Sequence, residues 1–206
     1  MSDKDLEKQR KEVVSDTRGQ VLEIGFGSGL NTSYYPNIEK LFALEPSSEL
    51  IEIARENIKE TPFPIEYIQA SAEKIPLPDN SIDCVVSTWT LCSIPHPEVA
   101  LKEVFRVLKN GGHFSFVEHG KSSSNLICKL QNIFTPFSKR IAGGCHLNRD
   151  IEKIITEAGF TIQKISKSYR KFRPLNFTYL GSAVAKKNLK SKTARNLSSY
   201  GRYLNS

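Results

Sequence analysis

Three alternating glycines follow a short apolar segment and form the sharpest chemical feature of the chain. The run V-L-E-I-G-F-G-S-G places Glu23 just before Gly25, Gly27 and Gly29. Glycines at a strand-to-helix turn permit a tight bend and let a ligand approach the main chain closely. A carboxylate beside such a loop would repel a pyrophosphate, but it suits a cation such as the ammonium group of a methionine moiety. The loop therefore predicts a ligand with a cationic end.

A second carboxylate follows the next predicted strand. Glu45 and Pro46 come after the apolar segment 40–44, and an acid about 20 residues after such a loop can accept hydrogen bonds from both ribose hydroxyls. The dinucleotide fingerprint needs a glycine at the sixth place of the loop, where this chain has Leu30. The pattern therefore favours a nucleoside ligand with a free ribose and disfavours a nicotinamide oxidoreductase.

Polar segments also follow the third and fourth predicted strands. Ser71-Ala72-Glu73 comes after the third, and Ser87-Thr88-Trp89-Thr90 comes after the fourth. Ligands of open α/β sheets bind outside the carboxyl ends of the strands. We therefore expect the first segment to border an adenine and the second to lie where cofactor and acceptor meet.

The order of these segments resembles that of the class I S-adenosylmethionine-dependent methyltransferases. The runs VLEIGFGSG, ALEPS, ASAEKIPLPDNSIDCVV and FRVLKNGGHFSFVEH carry the resemblance over residues 20–120. They are closest to the branch that includes the ubiquinone and menaquinone C-methyltransferases. A narrower resemblance reaches about residue 187. There the runs TLCSIPHPEVALKEVFRVLKNGG, FVEHG, GGCHLNRDIEKIITEAGF and FTYLGSAVAKK are similar to the vertebrate methyltransferase-like family that methylates alkyl thiols.

The resemblance implies a cofactor, S-adenosylmethionine, whose product is S-adenosylhomocysteine, and no metal. It implies that the cofactor is bound by Glu23, Gly25, Phe26, Gly27, Gly29, Glu45, Pro46, Ala72, Glu73 and Thr88. The methionine end would lie on the glycine loop and Glu23, the ribose on Glu45, the adenine between Ala72 and Glu73, and the sulfonium above Thr88. The acceptor would be contacted by Trp89, Cys92, Glu118, His146 and Arg149, with His119 as the catalytic candidate.

The expected function is methylation of a small, lipophilic acceptor such as a thiol. Displacement at a sulfonium mainly requires alignment in a dry pocket. A thiol of pKa near 8.5 needs only modest activation, and His119 at the end of the fifth predicted strand is the candidate base. The alternatives are a quinone-precursor C-methyltransferase, a phospholipid N-methyltransferase, and a protein that binds S-adenosylmethionine without catalysis.

Alternating strand and helix patterns must position these residues. They predict an α/β fold: a single-domain, Rossmann-like, seven-stranded and mostly parallel sheet with helices on both faces. The predicted strands are 20–24, 40–44, 65–69, 82–87, 113–118, 161–168 and 177–185, and the helices are 3–16, 48–59, 97–108 and 148–158, with another ending near Tyr35. We expect a methyltransferase domain over 1–187, which includes an N-terminal helical region 1–19 and a lid insertion 120–147 on the acceptor side, and a basic polar tail over 188–206.

The charge distribution and the cysteine content limit which partners and cellular location are expected. The net charge is +7, but six basic residues and no acidic ones lie from Lys186 onward, so the body is nearly neutral. We therefore expect no nucleic-acid partner. The basic tail is a candidate for peripheral membrane contact, and the oligomeric state stays open. The charged N-terminal segment is unlike a secretory signal, which favours the cytoplasm. The four cysteines, Cys84, Cys92, Cys128 and Cys145, show neither a C-x-x-C pair nor zinc-type spacing.

Overall fold

Seven strands form one sheet in the order β3-β2-β1-β4-β5-β7-β6. The structure is a computed structural model that describes residues 3–141, 143–170 and 173–187. The strands are β1 Gln20–Ile24, β2 Lys40–Leu44, β3 Ile65–Ile68, β4 Ile82–Thr88, β5 Leu108–Gly120, β6 Phe160–Arg170 and β7 Arg173–Ala185. The helices are α1 Asp3–Val14, α2 Ser48–Asn57, α3 Pro97–Val107, α4 Asn125–Ile141 and α5 Ile151–Glu157, with one 3₁₀ turn at Thr32–Tyr34.

Strands β1 to β5 run parallel, and β7 lies antiparallel between β5 and β6. The strand order reverses between β1 and β4, because the chain adds β2 and β3 on one side and then returns to the other. The loops after these two strands therefore separate and leave a crevice at their carboxyl ends. The residues singled out by the sequence end β1, β2 and β4 at this crevice.

The sheet is covered on both faces. One face packs α1, the 3₁₀ turn and α2 through a cluster that includes Val13, Val14 and Ala54. The opposite face packs α3 and α5 through a cluster that includes Leu101 and Ile151. The predicted fold class, one domain with a mostly parallel seven-stranded sheet between helical layers, is confirmed.

Several element boundaries differ from the prediction by a few residues, and two of the differences change the local structure. The helix predicted to end near Tyr35 is a single 3₁₀ turn, because the side chains of Asn31 and Tyr35 are used for buried hydrogen bonds to Glu23. Strand β5 begins at Leu108, directly after α3 and five residues before the predicted start of the strand at 113. The predicted insertion 120–147 contains α4, while the predicted tail 188–206 lies outside the described residues.

None of the helices in the described ranges combines the length and the apolar character that crossing a membrane requires.

Candidate active site

A pocket of about 570 Å³ lies at the carboxyl ends of β1, β2 and β4, where the strand order reverses. Its wall contains eight of the ten residues predicted to bind the cofactor: Glu23, Gly25, Phe26, Gly27, Glu45, Pro46, Ala72 and Thr88. Further wall residues are Arg10, Ser28, Leu30, Leu44, Leu50, Ser71, Trp89, Thr90, Ser93, Ile94, Pro95 and Gly143. The predicted residues for the two ligand ends thus converge on one cavity.

The glycine loop brings main-chain atoms to the pocket surface. Gly25 and Gly27 have φ angles of +64° and +58°, which are strained for any residue with a Cβ. A Cβ on Gly25 would also lie 2.3 Å from the side chain of Thr90. Gly29 has a different position: a Cβ there would meet Ile58 and Phe26. Gly29 therefore packs behind the loop and is absent from the pocket wall.

The Glu45 carboxylate is held in place by two backbone amides. Its Oε2 accepts from the Gly27 N–H at 2.9 Å, and its Oε1 accepts from the Ser47 N–H at 3.1 Å. Ser47 in turn caps α2 by accepting from the Leu50 N–H. A carboxylate offers about four lone-pair sites, so acceptors remain on a side chain that is 6% exposed in the pocket wall. This arrangement suits a vicinal diol.

Glu23 is the second carboxylate of the pocket and is more deeply buried. Its Oε1 accepts from Asn31 Nδ2 at 2.8 Å, and its Oε2 accepts from the Tyr35 hydroxyl at 2.6 Å. Burial raises the pKa of Glu23 to about 7, against the opposing effect of these hydrogen bonds. A cationic group bound beside it would favour the ionised form. The carboxylate of Glu23 therefore suits an ammonium group, as that of Glu45 suits a diol.

Two residues of this network were missed in the sequence. Asn31 is fully buried, and its Nδ2 contacts both Glu23 and the Thr88 hydroxyl, the latter at 2.8 Å. Arg10 of α1 donates to Asn31 Oδ1 at 2.8 Å, and its guanidinium lies 4.8 Å from the centre of the Trp89 ring. Arg10 appears in the sequence as one charge of a polar helix, and no local pattern marks it as part of a pocket.

The predicted adenine contacts are divided by the structure. Ala72 lies in the pocket wall together with Ser71. Glu73 does not, because its Oε1 accepts from the His96 N–H at 2.8 Å and its Oε2 is paired with the Ser71 hydroxyl. Glu73 thus ties the loop after β3 to the segment before α3, and its predicted contact with the adenine stays a prediction.

Trp89, a predicted acceptor contact, lines the pocket and has a left-handed conformation, with φ of +52°. This conformation is costly for a bulky residue and persists only where its surroundings impose it. Here the Trp89 N–H donates to the Val117 carbonyl at 2.7 Å. The His119 ring lies beside the indole, with 6.4 Å between ring centres. His119 is therefore near the pocket but outside its wall.

Glu118 is placed differently from the acceptor contact expected of it. Its side chain is fully buried and absent from the pocket wall. The carboxylate accepts from the Ser87 hydroxyl at 2.6 Å and from the backbone N–H groups of Thr90, Leu91 and Cys92 at 3.1–3.2 Å. Burial raises its pKa. Glu118 thus fixes the loop that follows Trp89.

Cys92, His119 and Cys145 come together although they are far apart in sequence. Their ligand-type atoms all lie within 4.8 Å of one another, and Cys145 Sγ is 3.8 Å from His119 Nδ1. A hydrogen bond between the two thiols raises the pKa of Cys92 and lowers that of Cys145. Cys92 itself does not line the pocket, although its neighbour Ser93 does, and its predicted contact with an acceptor stays a prediction.

His146 and Arg149 hold two loops together. The His146 N–H donates to the Cys92 carbonyl at 2.7 Å, and the Arg149 guanidinium donates to the Leu91 carbonyl. The His146 ring lines a separate, more open concavity of about 460 Å³ beneath α4, and burial lowers its pKa. Neither residue lies in the wall of the first pocket, so their predicted contact with an acceptor stays a prediction.

Comparisons with known proteins agree with this geometry. A family model described as "Methyltransferase domain" matches residues 22–116. The thiol S-methyltransferase TMT1B of Rattus norvegicus is 32% identical over 196 residues, which cover 88% of this chain and 80% of the relative. The ubiquinone/menaquinone biosynthesis C-methyltransferase UbiE of Pseudomonas savastanoi is 30% identical over 125 residues, covering 58% of this chain and 49% of the relative.

A solved structure supports the fold independently. A putative methyltransferase from Bacillus halodurans superimposes with a TM-score of 0.73 at 18% identity, covering 89% of this chain and all of that chain. The cofactor of this enzyme class, S-adenosylmethionine, has the ammonium group and the ribose diol that Glu23 and Glu45 suit. The chain belongs to the family of the TMT1B thiol S-methyltransferases, within the S-adenosylmethionine-dependent methyltransferases of class I.

Proposed function

We propose that this enzyme transfers a methyl group from S-adenosylmethionine to the sulfur of a small, lipophilic thiol. The observation that carries the proposal is the 32% identity to a thiol S-methyltransferase over 88% of the chain. That coverage exceeds the 58% covered by the match to UbiE. A quinone-precursor C-methyltransferase, a phospholipid N-methyltransferase and a non-catalytic binding protein are therefore not favoured.

The pocket supports a specific orientation of the cofactor. We assign Glu23 to the ammonium group and Glu45 to the ribose hydroxyls, with Gly25 and Gly27 against the methionine portion and Ala72 beside the adenine. Thr88, whose hydroxyl accepts from Asn31 Nδ2 at 2.8 Å at the end of β4, would hold the sulfonium end of the cofactor. When bound, S-adenosylmethionine supplies an electrophilic methyl group on a positively charged sulfur.

The protein's part in the reaction is alignment, exclusion of water and control of one proton. A thiolate attacks in line, the new sulfur–carbon bond forms as the old one breaks, and the products are a thioether and S-adenosylhomocysteine. We assign His119 as the acceptor of the thiol proton, because it lies beside Trp89 at the acceptor end. Little activation is needed, since a few per cent of an ordinary thiol is ionised near neutral pH.

The test is a methyl-transfer assay with thiols, amines and quinol precursors of matched hydrophobicity. We expect methylation of the thiols, and a His119→Asn variant about 10- to 100-fold slower at neutral pH. The deficit should shrink as pH rises toward the pKa of the thiol, because the acceptor then ionises without help. His96→Asn is the matched control, since that ring is exposed. Transfer to amines or ring carbons alone would overturn the thiol assignment.

A membrane surface is the proposed source of a lipophilic acceptor. The basic tail proposed for this contact lies outside the described residues, but α4 supports the same role. Its buried side is polar: Gln131 is fully buried and bonds to the Ser122 N–H and to the Gly120 and Leu175 carbonyls. Its exposed side is apolar, with Leu126, Leu130, Ile133, Phe134 and Phe137 between 38% and 70% exposed.

The charges on α4 indicate which partner its exposed apolar side would contact. Leu126, Leu130, Ile133, Phe134 and Phe137 fall within an arc of about 100° on a regular helix. Helix α4 also carries Lys129, Lys139 and Arg140 and no acidic residue. An apolar stripe flanked by cations is typical of helices that lie in the interface of an anionic bilayer. A cytoplasmic location, with contact to an inner membrane surface, stays a prediction.

Vesicle co-sedimentation tests this contact. We expect binding to vesicles that contain phosphatidylserine and weak binding to phosphatidylcholine alone. The pair Ile133→Ser and Phe137→Ser should abolish binding. Val99→Ser, an exposed apolar residue of α3, should not. Sedimentation of the chain without lipid tests the competing possibility of a dimer. If the wild type is a dimer and the two serine substitutions dissociate it, the exposed apolar side of α4 binds a second copy of the chain and not a membrane.

A further inference from the structure

We propose that Cys92, His119 and Cys145 form a binding site for a thiophilic d¹⁰ cation such as Zn²⁺, beside the acceptor end of the pocket. Among the residues that the structure describes, this is the group of three whose donor atoms lie close enough to share one ion. The proposal does not rest on the thiol specificity argued above.

The spacing of the donors fits a single ion. Zinc binds thiolate sulfur at about 2.3 Å and imidazole nitrogen at about 2.0–2.1 Å, which places sulfur and nitrogen about 3.6 Å apart in a tetrahedral site. Cys145 Sγ and His119 Nδ1 are separated by 3.8 Å, and all three donor atoms lie within 4.8 Å of one another. Small side-chain rotations therefore suffice to bring all three atoms to bonding distance.

Two loops hold the donors in place before an ion arrives. Cys92 is anchored on both sides of its peptide, because its N–H donates to Glu118 and its carbonyl accepts from the His146 N–H. The second bond ties Cys92 to the residue that follows Cys145. Gly144 packs on the same segment, since a Cβ there would lie 3.2 Å from the Ser93 carbonyl. The fold therefore already orders these donor residues, so that little conformational entropy is lost when an ion binds.

Charge and donor type favour a soft divalent cation. Two thiolates and one neutral imidazole balance the charge of a divalent ion. Two sulfurs and one nitrogen are the donors that zinc and other thiophilic ions select over magnesium or calcium. With three protein ligands, the fourth position remains for water or for the sulfur of an acceptor.

Occupation of this site should inhibit transfer without displacing the cofactor product. An ion on His119 Nδ1 would remove the group assigned as proton acceptor. The residues assigned to the ribose and ammonium groups, Glu45 and Glu23, are not among the ligands. Zinc is therefore expected to lower the rate of methyl transfer while calorimetric binding of S-adenosylhomocysteine stays within about twofold of its metal-free value.

The decisive measurement uses Zn²⁺ and Co²⁺ with a phosphine reductant that keeps the thiols reduced. We expect the wild-type chain to bind one equivalent, and Co²⁺ to give ultraviolet thiolate-to-metal charge-transfer absorption. Cys145→Ser and, separately, Cys92→Ser should weaken Zn²⁺ binding at least about 100-fold, because even outer-shell changes cost 10- to 100-fold.

Cys128→Ser provides the matched control, since the thiol of Cys128 lies on α4 and donates to the Ser122 carbonyl, away from the proposed site. Its Zn²⁺ affinity should equal that of the wild type. S-adenosylhomocysteine binding by each variant verifies that it has folded. Unchanged Zn²⁺ affinity in both cysteine variants, or a Co²⁺ spectrum without thiolate charge transfer, would overturn the site.

Discussion

Two carboxylates line one pocket, and their surroundings differ. Glu45 accepts from two backbone amides at the edge of the cavity. Glu23 lies deeper, where burial raises its pKa to about 7. We assign Glu45 as a fixed hydrogen-bond acceptor for a neutral diol. We expect a cationic ligand beside Glu23 to favour the ionised form of its carboxyl group. Residue-scale predictions follow from this contrast.

Replacement of Glu45 by alanine should weaken S-adenosylhomocysteine binding about tenfold or more, through loss of charge-assisted hydrogen bonds. Calorimetric titration measures the change. Glu39→Ala removes an exposed acid from the opposite end of β2, away from the pocket wall, and should leave affinity unchanged. Equal affinity of the Glu45 variant and the wild type would exclude this residue from the ribose site.

Cofactor affinity should also depend on pH through Glu23. Its pKa in the ligand-free protein is about 7, and an ammonium group binds the ionised form. Affinity is therefore full above this pH and falls as the pH decreases through it, by up to about tenfold per pH unit. Titration of S-adenosylhomocysteine between about pH 6 and about pH 8 measures the slope. Glu23→Gln should bind weakly with a flat profile, and a wild-type profile just as flat would refute the assignment.

At the scale of elements, the glycine loop is constrained twice at Gly25, by its φ of +64° and by the 2.3 Å approach to Thr90. Gly25→Ala should therefore lower the free energy of unfolding by more than the about 1–2 kcal/mol of a left-handed alanine alone. Gly111→Ala is the control, because its φ is +79° and nothing lies within 4 Å of the added carbon. Denaturant unfolding compares them. Equal losses would mean that the contact with Thr90 is unimportant.

Elements with a local pattern could be predicted from the sequence. The apolar runs of β1, β2 and β4 and the helical spacing of α2 and α3 gave all three strands and both helices to within about two residues. Each has its own apolar periodicity and turn residues, which are local information. The resemblance to the methyltransferases supplied the ten predicted cofactor residues, and eight of them line one pocket, because the ends of parallel strands share one edge of the sheet.

Residues whose roles depend on distant partners could not be predicted in this way. Arg10 and Asn31 enter the site through contacts over 21 residues of sequence. Glu118 was expected to contact the acceptor. In the structure, the turn that follows Trp89 directs three backbone N–H groups at the Glu118 carboxylate. Cys92 and Cys145 lack any local spacing that marks a pair. Such features arise from tertiary packing, to which neither periodicity nor motif spacing is sensitive.

For the whole molecule, cofactor binding and stability are linked. The pocket wall includes residues from α1, the loops after β1, β2, β3 and β4, and Gly143, so an unfolded chain has no equivalent site. S-adenosylhomocysteine at 100 times its dissociation constant should add about 2.7 kcal/mol to the free energy of unfolding. Thermal unfolding with and without ligand measures this gain, and Glu45→Ala should lose most of it at the same ligand concentration. A melting temperature insensitive to the ligand would argue against the pocket.

The antiparallel position of β7 has a consequence for how the chain is made. β5 carries Glu118 and His119 near its end, and its outer edge is covered only by β7, which itself follows β6. During synthesis from the N-terminus, β5 emerges about 60 residues before its neighbour, at rates of about 5–20 residues per second. For several seconds the nascent sheet therefore presents an unpaired apolar edge beside the active site, the kind of surface that chaperones bind and that promotes aggregation.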